Sequence, residues 1–335
     1  MLSKEKYIPQ LYGLRAIACL LVFGIHMFFK CFSFGWIGVD FFFVLSGFLI
    51  TRVLLSTKCQ STFFREFYKK RALRILPIYM LVLVLVICWS LIMEPGPTFG
   101  LAGIKYYLFY LQNIPFIRGP LVVPMAHTWS LGIEEQFYSV WPLLIYLLDI
   151  AALKRVLVLA FTSSIIFRVI EPSGMCYIFG CLDGFSTGAF IALFEYEKSS
   201  TEALNRTAAY VLIVLIPFLI LTSYNFGTLE VPRNADALNP YRWLMGSVYA
   251  IMFGGVLTLT ISKKFLPQVL SNKALVALGK VSYGFYLYHF TIRQCLLVLD
   301  FSKLEVRIWT PILAIAACYF SWKYIEKPIM HWAKE

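Results

Sequence analysis

The chain has 335 residues, 60% of them hydrophobic and only 14% charged, with a mean hydropathy of +0.74. A soluble fold of this length cannot hide that much apolar surface, so lipid must cover the remainder. The formal charge of +12 reads as the Lys and Arg excess of loops on one side of a membrane, facing anionic headgroups, and not as a nucleic-acid footprint.

Taken in chain order, ten runs are apolar enough to cross about 30 Å of hydrocarbon as helices. They lie near 11–29, 36–56, 75–93, 129–149, 156–172, 177–195, 207–223, 243–262, 276–298 and 308–325. The stretch 100–115 is too polar and interrupted to count and is expected to be re-entrant or interfacial. With the N-terminus inside, Lys and Arg partition about two to one toward the inner segments, and the even count brings the C-terminus inside as well. The first run carries a charge and has no convincing cleavage site, so it should remain as an anchor. The sequence predicts an all-α integral membrane protein, read as one domain over 1–335. Eight cysteines are dispersed without metal-ligand spacing or a disulfide framework; they are expected to be small core residues, and no metal site is predicted.

The first run holds Arg15 and His26. Ionisable groups at membrane depth are costly and usually face a bundle interior or a wet cavity. Eleven residues at 100° each bring them back to one helix face, about 20° apart in angle and about 16 Å apart along the axis, with Cys19 and Val22 between. His26 suits a general base, because imidazole titrates near neutral pH. The alternative is a histidine hydrogen-bonded to a neighbouring helix. Asp40, in the outer part of the second run, has a comparable depth and suits holding that imidazole. Ser46 and Gly47 read as packing contacts.

The basic stretch 64–74 is expected on the inner side. Arg71 and Arg74, at i and i+3, suit two guanidinium forks converging on one phosphate, with Lys69 and Lys70 beside them. Ordinary positive-inside decoration is the simpler reading of the charge alone. In the stretch 127–138, helical spacing sets His127, Ser130, Glu134 and Trp141 on one face and turns Glu135 about 100° away. Glu134 is therefore the candidate for a shared site, and Glu135 is expected to meet an arginine or headgroups.

Six pieces in order, from about residue 7 to 328, resemble the acyltransferase-3 family of bacterial membrane proteins. They are Tyr12-Gly-Leu-Arg15 with His26, the run Gly38-Val-Asp40 to Ile50, Arg71-Ala-Leu-Arg74, Trp129-Ser-Leu-Gly-Ile-Glu134-Glu135-Gln-Phe-Tyr138, Val281 to His289, and Tyr324-Ile-Glu326-Lys-Pro328. The resemblance implies a multi-pass protein of the bacterial inner membrane, with an acyltransferase-3-like bundle. It also implies transfer of an acetyl group from cytoplasmic acetyl-coenzyme A to a hydroxyl of a cell-surface glycan, and the resemblance carries roles to single residues. It makes Arg15 and His26 the essential pair, Arg71 and Arg74 the ligands of coenzyme A phosphates, and Glu134 a site residue, with Tyr286 and His289 as supports. Some members carry an extracytoplasmic esterase-like domain, and none is expected here.

On this reading the pantetheine arm follows the Arg15 face to His26, which either deprotonates the acceptor hydroxyl or carries the acetyl group. Asp40 or Glu134 fixes the imidazole, and Ser130 is a candidate oxyanion donor. Trp129 is a candidate for stacking on a sugar. Lipopolysaccharide O-antigen is the first expected acceptor; a macrolide, an oligosaccharide signal or a capsular glycan are the alternatives. A transporter or flippase is the rival class, weakened by the lack of matching interrupted half-helices.

Overall fold

The computed structural model describes residues 8–29, 31–92, 103–119, 121–171, 174–198, 201–226 and 242–332. The described residues form α-helices joined by turns, without a strand. In chain order these are α1 (Pro9–Met27), α2 (Ile37–Thr57), α3 (Phe63–Ile92), α4 (Ile104–Leu108), α5 (Asn113–Arg118), α6 (Trp129–Leu147), α7 (Ile150–Ile170) and α8 (Leu182–Tyr196). They are followed by α9 (Thr201–Phe226), α10 (Arg242–Ile261), α11 (Pro267–Leu270), α12 (Lys273–Lys280), α13 (Ser282–Val298), α14 (Lys303–Ser321) and α15 (Lys327–Trp332).

Seven of these segments are long and apolar enough to cross a membrane, so this is a multi-pass membrane protein. Seven of the ten expected spans fall on these segments, whereas α6, α8 and α13 do not reach the length or apolarity of a span. Helix α8 has 15 residues and α13 has 17, while α6 carries Glu134, Glu135 and Gln136. The expected run 276–298 is divided between α12 and α13. Near the break, Gly279 lies against the backbone carbonyl of Tyr12, where any Cβ would collide. The basic stretch 64–74 is not a loop but the first part of the 30-residue α3. Of the segment expected to be re-entrant, residues 103–115 are described; they form α4 and the start of α5, with Tyr107, Gln112 and Asn113 buried.

Contacts divide the chain into two compact units, Met1–Cys59 with Gln136–Lys280 and Gln60–Glu135 with Val281–Glu335. In the first, α2 runs along α8, α10 packs on α8, α9 and α2, and α1 lies on α2 and α12. The α2 and α8 backbones approach through reciprocal glycines: a Cβ on Gly47 would strike the Phe185 carbonyl, and one on Gly188 the Val44 carbonyl. Small residues let apolar helices gain van der Waals contact where lipid supplies no hydrophobic drive between them. Phe41 stacks on Phe253 at 4.4 Å, and Trp36 meets Tyr249 edge-on at 5.2 Å. Trp141 Nε1 donates to Thr51 Oγ1 at 2.8 Å, satisfying two buried polar groups at once. Asp149 caps α7 by accepting from the Ala152 amide at 2.7 Å.

The second unit is built around α3, α13 and α14. The Tyr79 hydroxyl donates to the Tyr107 carbonyl at 2.8 Å, and Tyr79 stacks on Tyr110 at 4.5 Å, fixing the α4 region on α3. The Tyr283 hydroxyl donates to the Ile75 carbonyl at 3.0 Å, tying α13 to α3. A capping box formed by Ser302 and Glu305 opens α14. A π-helical turn, Trp322–Glu326, follows α14 and leads into α15.

The cysteines depart from the core expectation. Cys19, Cys181 and Cys318 are buried, whereas Cys31, Cys59 and Cys88 are exposed.

Candidate active site

Helix α1 is unbroken from Pro9 to Met27, so Arg15 and His26 belong to one rigid element. Cys19 and Val22, which lie between them on the stripe, are buried, so this face of α1 turns inward. Arg15 and His26 are both half-buried, His26 in the last turn. Arg15 acts electrostatically on Cys19, one turn on.

Asp40 stands in the first turn of α2. Its electrostatic neighbours include Asp183 and Arg168, and its backbone carbonyl lies beside Gly184 of α8. One carboxylate oxygen, Oδ2, is buried and has no hydrogen bond among the described residues. The adjacent Arg168 makes several hydrogen bonds. Its Nη2 donates to Asp183 Oδ2 at 2.7 Å and to Ser247 Oγ at 2.8 Å, and its Nε to the Trp243 carbonyl at 2.9 Å. Nη1 donates to the Gly180 carbonyl. Ser247 Oγ donates to Asp183 Oδ2 at 2.7 Å, and the Gly184 amide donates to Asp183 Oδ1 at 2.9 Å. Both partners are thereby satisfied, as a buried ion pair must be. Arg168 is buried within α7 and is not a charge of an exposed loop.

In the second unit, Arg71 and Arg74 follow one another along α3. Arg71 forks onto Glu135, with Nη2 to Oε1 at 2.8 Å and Nε to Oε2 at 3.3 Å. The expected arginine partner of Glu135 is therefore present. Arg74, Lys69 and Lys70 are exposed, and Lys70 Nζ also pairs with Glu66 Oε2 at 3.3 Å. Arg74 acts electrostatically on Glu326 in the π-turn, whose Oε1 is 3.4 Å from Ser321 Oγ. Glu134 is half-buried in α6.

A second cluster of the same unit joins Ser130, Tyr286 and His289 with His127, which precedes α6 in a 3-10 turn. His127 Nε2 lies 2.9 Å from the Tyr286 carbonyl, so that nitrogen carries the hydrogen. The Tyr286 hydroxyl donates to the His127 carbonyl, so in its 2.8 Å contact with Ser130 Oγ the serine is the donor. That use of its single hydrogen opposes the oxyanion role expected of Ser130. His289 is fully buried, with Nδ1 2.9 Å from the Phe285 carbonyl, and its ring is 5.5 Å from that of His127. Burial first, and then His289, push His127 well below the usual imidazole range. Thr291 Oγ1 donates to the Pro124 carbonyl at 2.9 Å and holds the 3-10 turn on α13. Trp129 stacks on Phe116 at 5.5 Å.

The structure thus brings together Ser130, Tyr286 and His289 in one cluster, and Arg71 with Glu135 in another. It assigns Arg15, His26 and Asp40 to the first unit. Sequence reasoning missed Arg168 and Asp183, whose only signal was an acid within one apolar run and a base at the end of the preceding one. His127 was read on the Ser130 face, but its pairing with α13 has no local signature.

Residues 8–325 match a family model described as an acyltransferase domain. The chain is 30% identical over 366 residues to "Peptidoglycan O-acetyltransferase OatA" of Listeria monocytogenes, covering 97% of this chain and 56% of that protein. It is 27% identical over 360 residues to "O-acetyltransferase OatA" of Staphylococcus aureus, covering 97% of this chain and 57% of that one. The chain therefore spans about half the length of these relatives. No solved structure gives a significant match.

Proposed function

Because the chain belongs to the acyltransferase-3 family, we propose that it is a membrane O-acetyltransferase moving an acetyl group from acetyl-coenzyme A to a cell-wall glycan hydroxyl. Its relatives' names favour peptidoglycan over the lipopolysaccharide O-antigen that the sequence alone suggested. We read it as a single integral domain of the cytoplasmic membrane with about ten helices and both termini inside.

The observation that carries this reading is the inward stripe of α1, with Arg15 and His26 on one continuous helix inside the matched region. His26 takes the proton of the acceptor hydroxyl, and the hydroxyl oxygen attacks the thioester carbon. The carbon–sulfur bond breaks, and the thiolate leaving group recovers the proton from the imidazolium. Arg15 supports the developing charge and Asp40 is a polar support beside it in the first unit, while Glu134 is a polar site residue of the second. Arg71 and Arg74, with Lys69 and Lys70, bind the donor phosphates through charge-assisted hydrogen bonds. Ser130 and Tyr286 shape the neighbourhood of Trp129 through their hydrogen bond, with His289 packed behind.

Mass spectrometry of muropeptides and other surface glycans from cells with and without the gene tests the acceptor. O-acetyl groups that disappear from muropeptides with the gene, and return with the wild-type gene but not with His26→Ala, support the proposal. An unchanged muropeptide pattern beside a changed O-antigen would overturn peptidoglycan as the acceptor.

A further inference from the structure

Two acids, Glu134 and Glu135, stand side by side at the start of α6. Glu135 receives both bonds of the Arg71 fork, while the side chains of the pair retain 15% and 20% of their exposure. A bidentate carboxylate does more than neutralise a guanidinium, because it fixes the plane and the direction of the remaining N–H groups. Around this clamp, α3 presents Arg65, Lys69, Lys70 and Arg74 to the exterior. The acids in this stretch, Glu66 and Glu135, leave the patch positive after their own pairings.

We infer that Glu135 is the positioning residue of the donor site, holding the Arg71 guanidinium by its Nε–Nη2 edge in the orientation that receives a phosphate-bearing ligand. This rests on the reading that the arginine pair binds coenzyme A phosphates. Of the two neighbouring acids, Glu135 thus serves the donor side. Charge counting alone gives the opposite sign, since a carboxylate in a basic patch weakens anion binding and its removal should strengthen it. The two accounts can therefore be separated by the direction of one change.

The test measures coenzyme A affinity of the purified full-length protein in lipid nanodiscs across a salt series. Glu135→Gln is expected to weaken binding about tenfold, despite making the patch more positive, the loss expected when about one charge-assisted hydrogen bond to the ligand is misaligned. Glu135→Asp, which keeps the charge but shortens the arm, and Arg71→Lys, which keeps the charge but loses the fork, should weaken binding to a similar degree. Thermal unfolding of each variant sets the folded fraction to which affinity is referred. Unchanged or tighter binding by Glu135→Gln or Glu135→Asp would overturn the inference. If Arg71→Ala itself leaves affinity unchanged, the donor reading of the arginine pair fails. If Arg71→Ala weakens binding while the Glu135 variants do not, that reading survives and only the positioning role is lost.

Discussion

Arg168 and Asp183 form an ion pair of 2.7 Å at 3% and 4% side-chain exposure, joined on the same carboxylate oxygen by Ser247. This triad links α7, α8 and α10 of the first unit, and Asp40 of α2 lies within its electrostatic reach. Removing one member of a buried pair leaves a charge that the interior cannot solvate, at a cost of roughly 3–5 kcal/mol. Arg168→Ala should therefore lower the thermal midpoint strongly, and Arg168→Met with Asp183→Leu should lower it less than either single truncation. Thermal unfolding in detergent reads both; an Arg168→Ala midpoint equal to wild type would mean that the pair contributes nothing.

Donor binding by Arg71 and Arg74, as proposed, should show itself by salt dependence. Arg71→Ala with Arg74→Ala should weaken coenzyme A binding and flatten its dependence on ionic strength, because screening acts on the charges removed. Equal affinities and slopes for wild type and double variant would return these residues to positive-inside decoration.

Packing between α2 and α8 depends on the absence of a side chain at Gly188. Gly188→Ala drives a methyl group into the Val44 carbonyl and should destabilise by about 1–3 kcal/mol. At Gly284 in α13 the nearest atom to an added Cβ is Cys318 Sγ at 3.5 Å, an ordinary contact. Gly284→Ala should be neutral or stabilising by roughly 0.5–1 kcal/mol, since Ala favours a helix over Gly. Comparing the two midpoints checks the backbone approach; equal effects would contradict it.

His127 sets a pH dependence. Its folded-state imidazole is held below the unfolded value of about 6.5, so it costs nothing above that pH. As pH falls below that value the unfolded chain binds a proton that the folded chain refuses. Stability then drops by up to about 1.4 kcal/mol per pH unit until the folded group titrates. His127→Gln, whose amide can still donate to the Tyr286 carbonyl, should lose less stability than wild type between pH 7 and pH 5 (roughly the window below the unfolded value). Parallel losses in the two proteins would show that His127 is not the group responsible.

Much of this was legible because membranes impose simple rules. Apolar runs marked all seven helices long and apolar enough to span lipid, and the i, i+11 geometry of Arg15 and His26 required only an unbroken helix. The turn of Glu135 away from the Ser130 face likewise foretold that it would meet an arginine. What was not legible depends on long-range pairing. A charge near a span end looks the same whether it decorates a loop or, like Arg168, is taken up by a carboxylate 15 residues on. The close approach of Gly279 to Tyr12, far apart in sequence, is another such pairing, and no local periodicity records it. The hydroxyl of Ser130 looked available as a donor until Tyr286 was found to accept its hydrogen.

Acetyl transfer dependent on His26 is the central claim. The most direct measurement reconstitutes the purified protein in liposomes with radiolabelled acetyl-coenzyme A and a muropeptide acceptor, following thiol release and label on the glycan. The account predicts both with wild type and neither with His26→Ala at equal folded protein. Label transfer persisting at the wild-type rate in His26→Ala would contradict it.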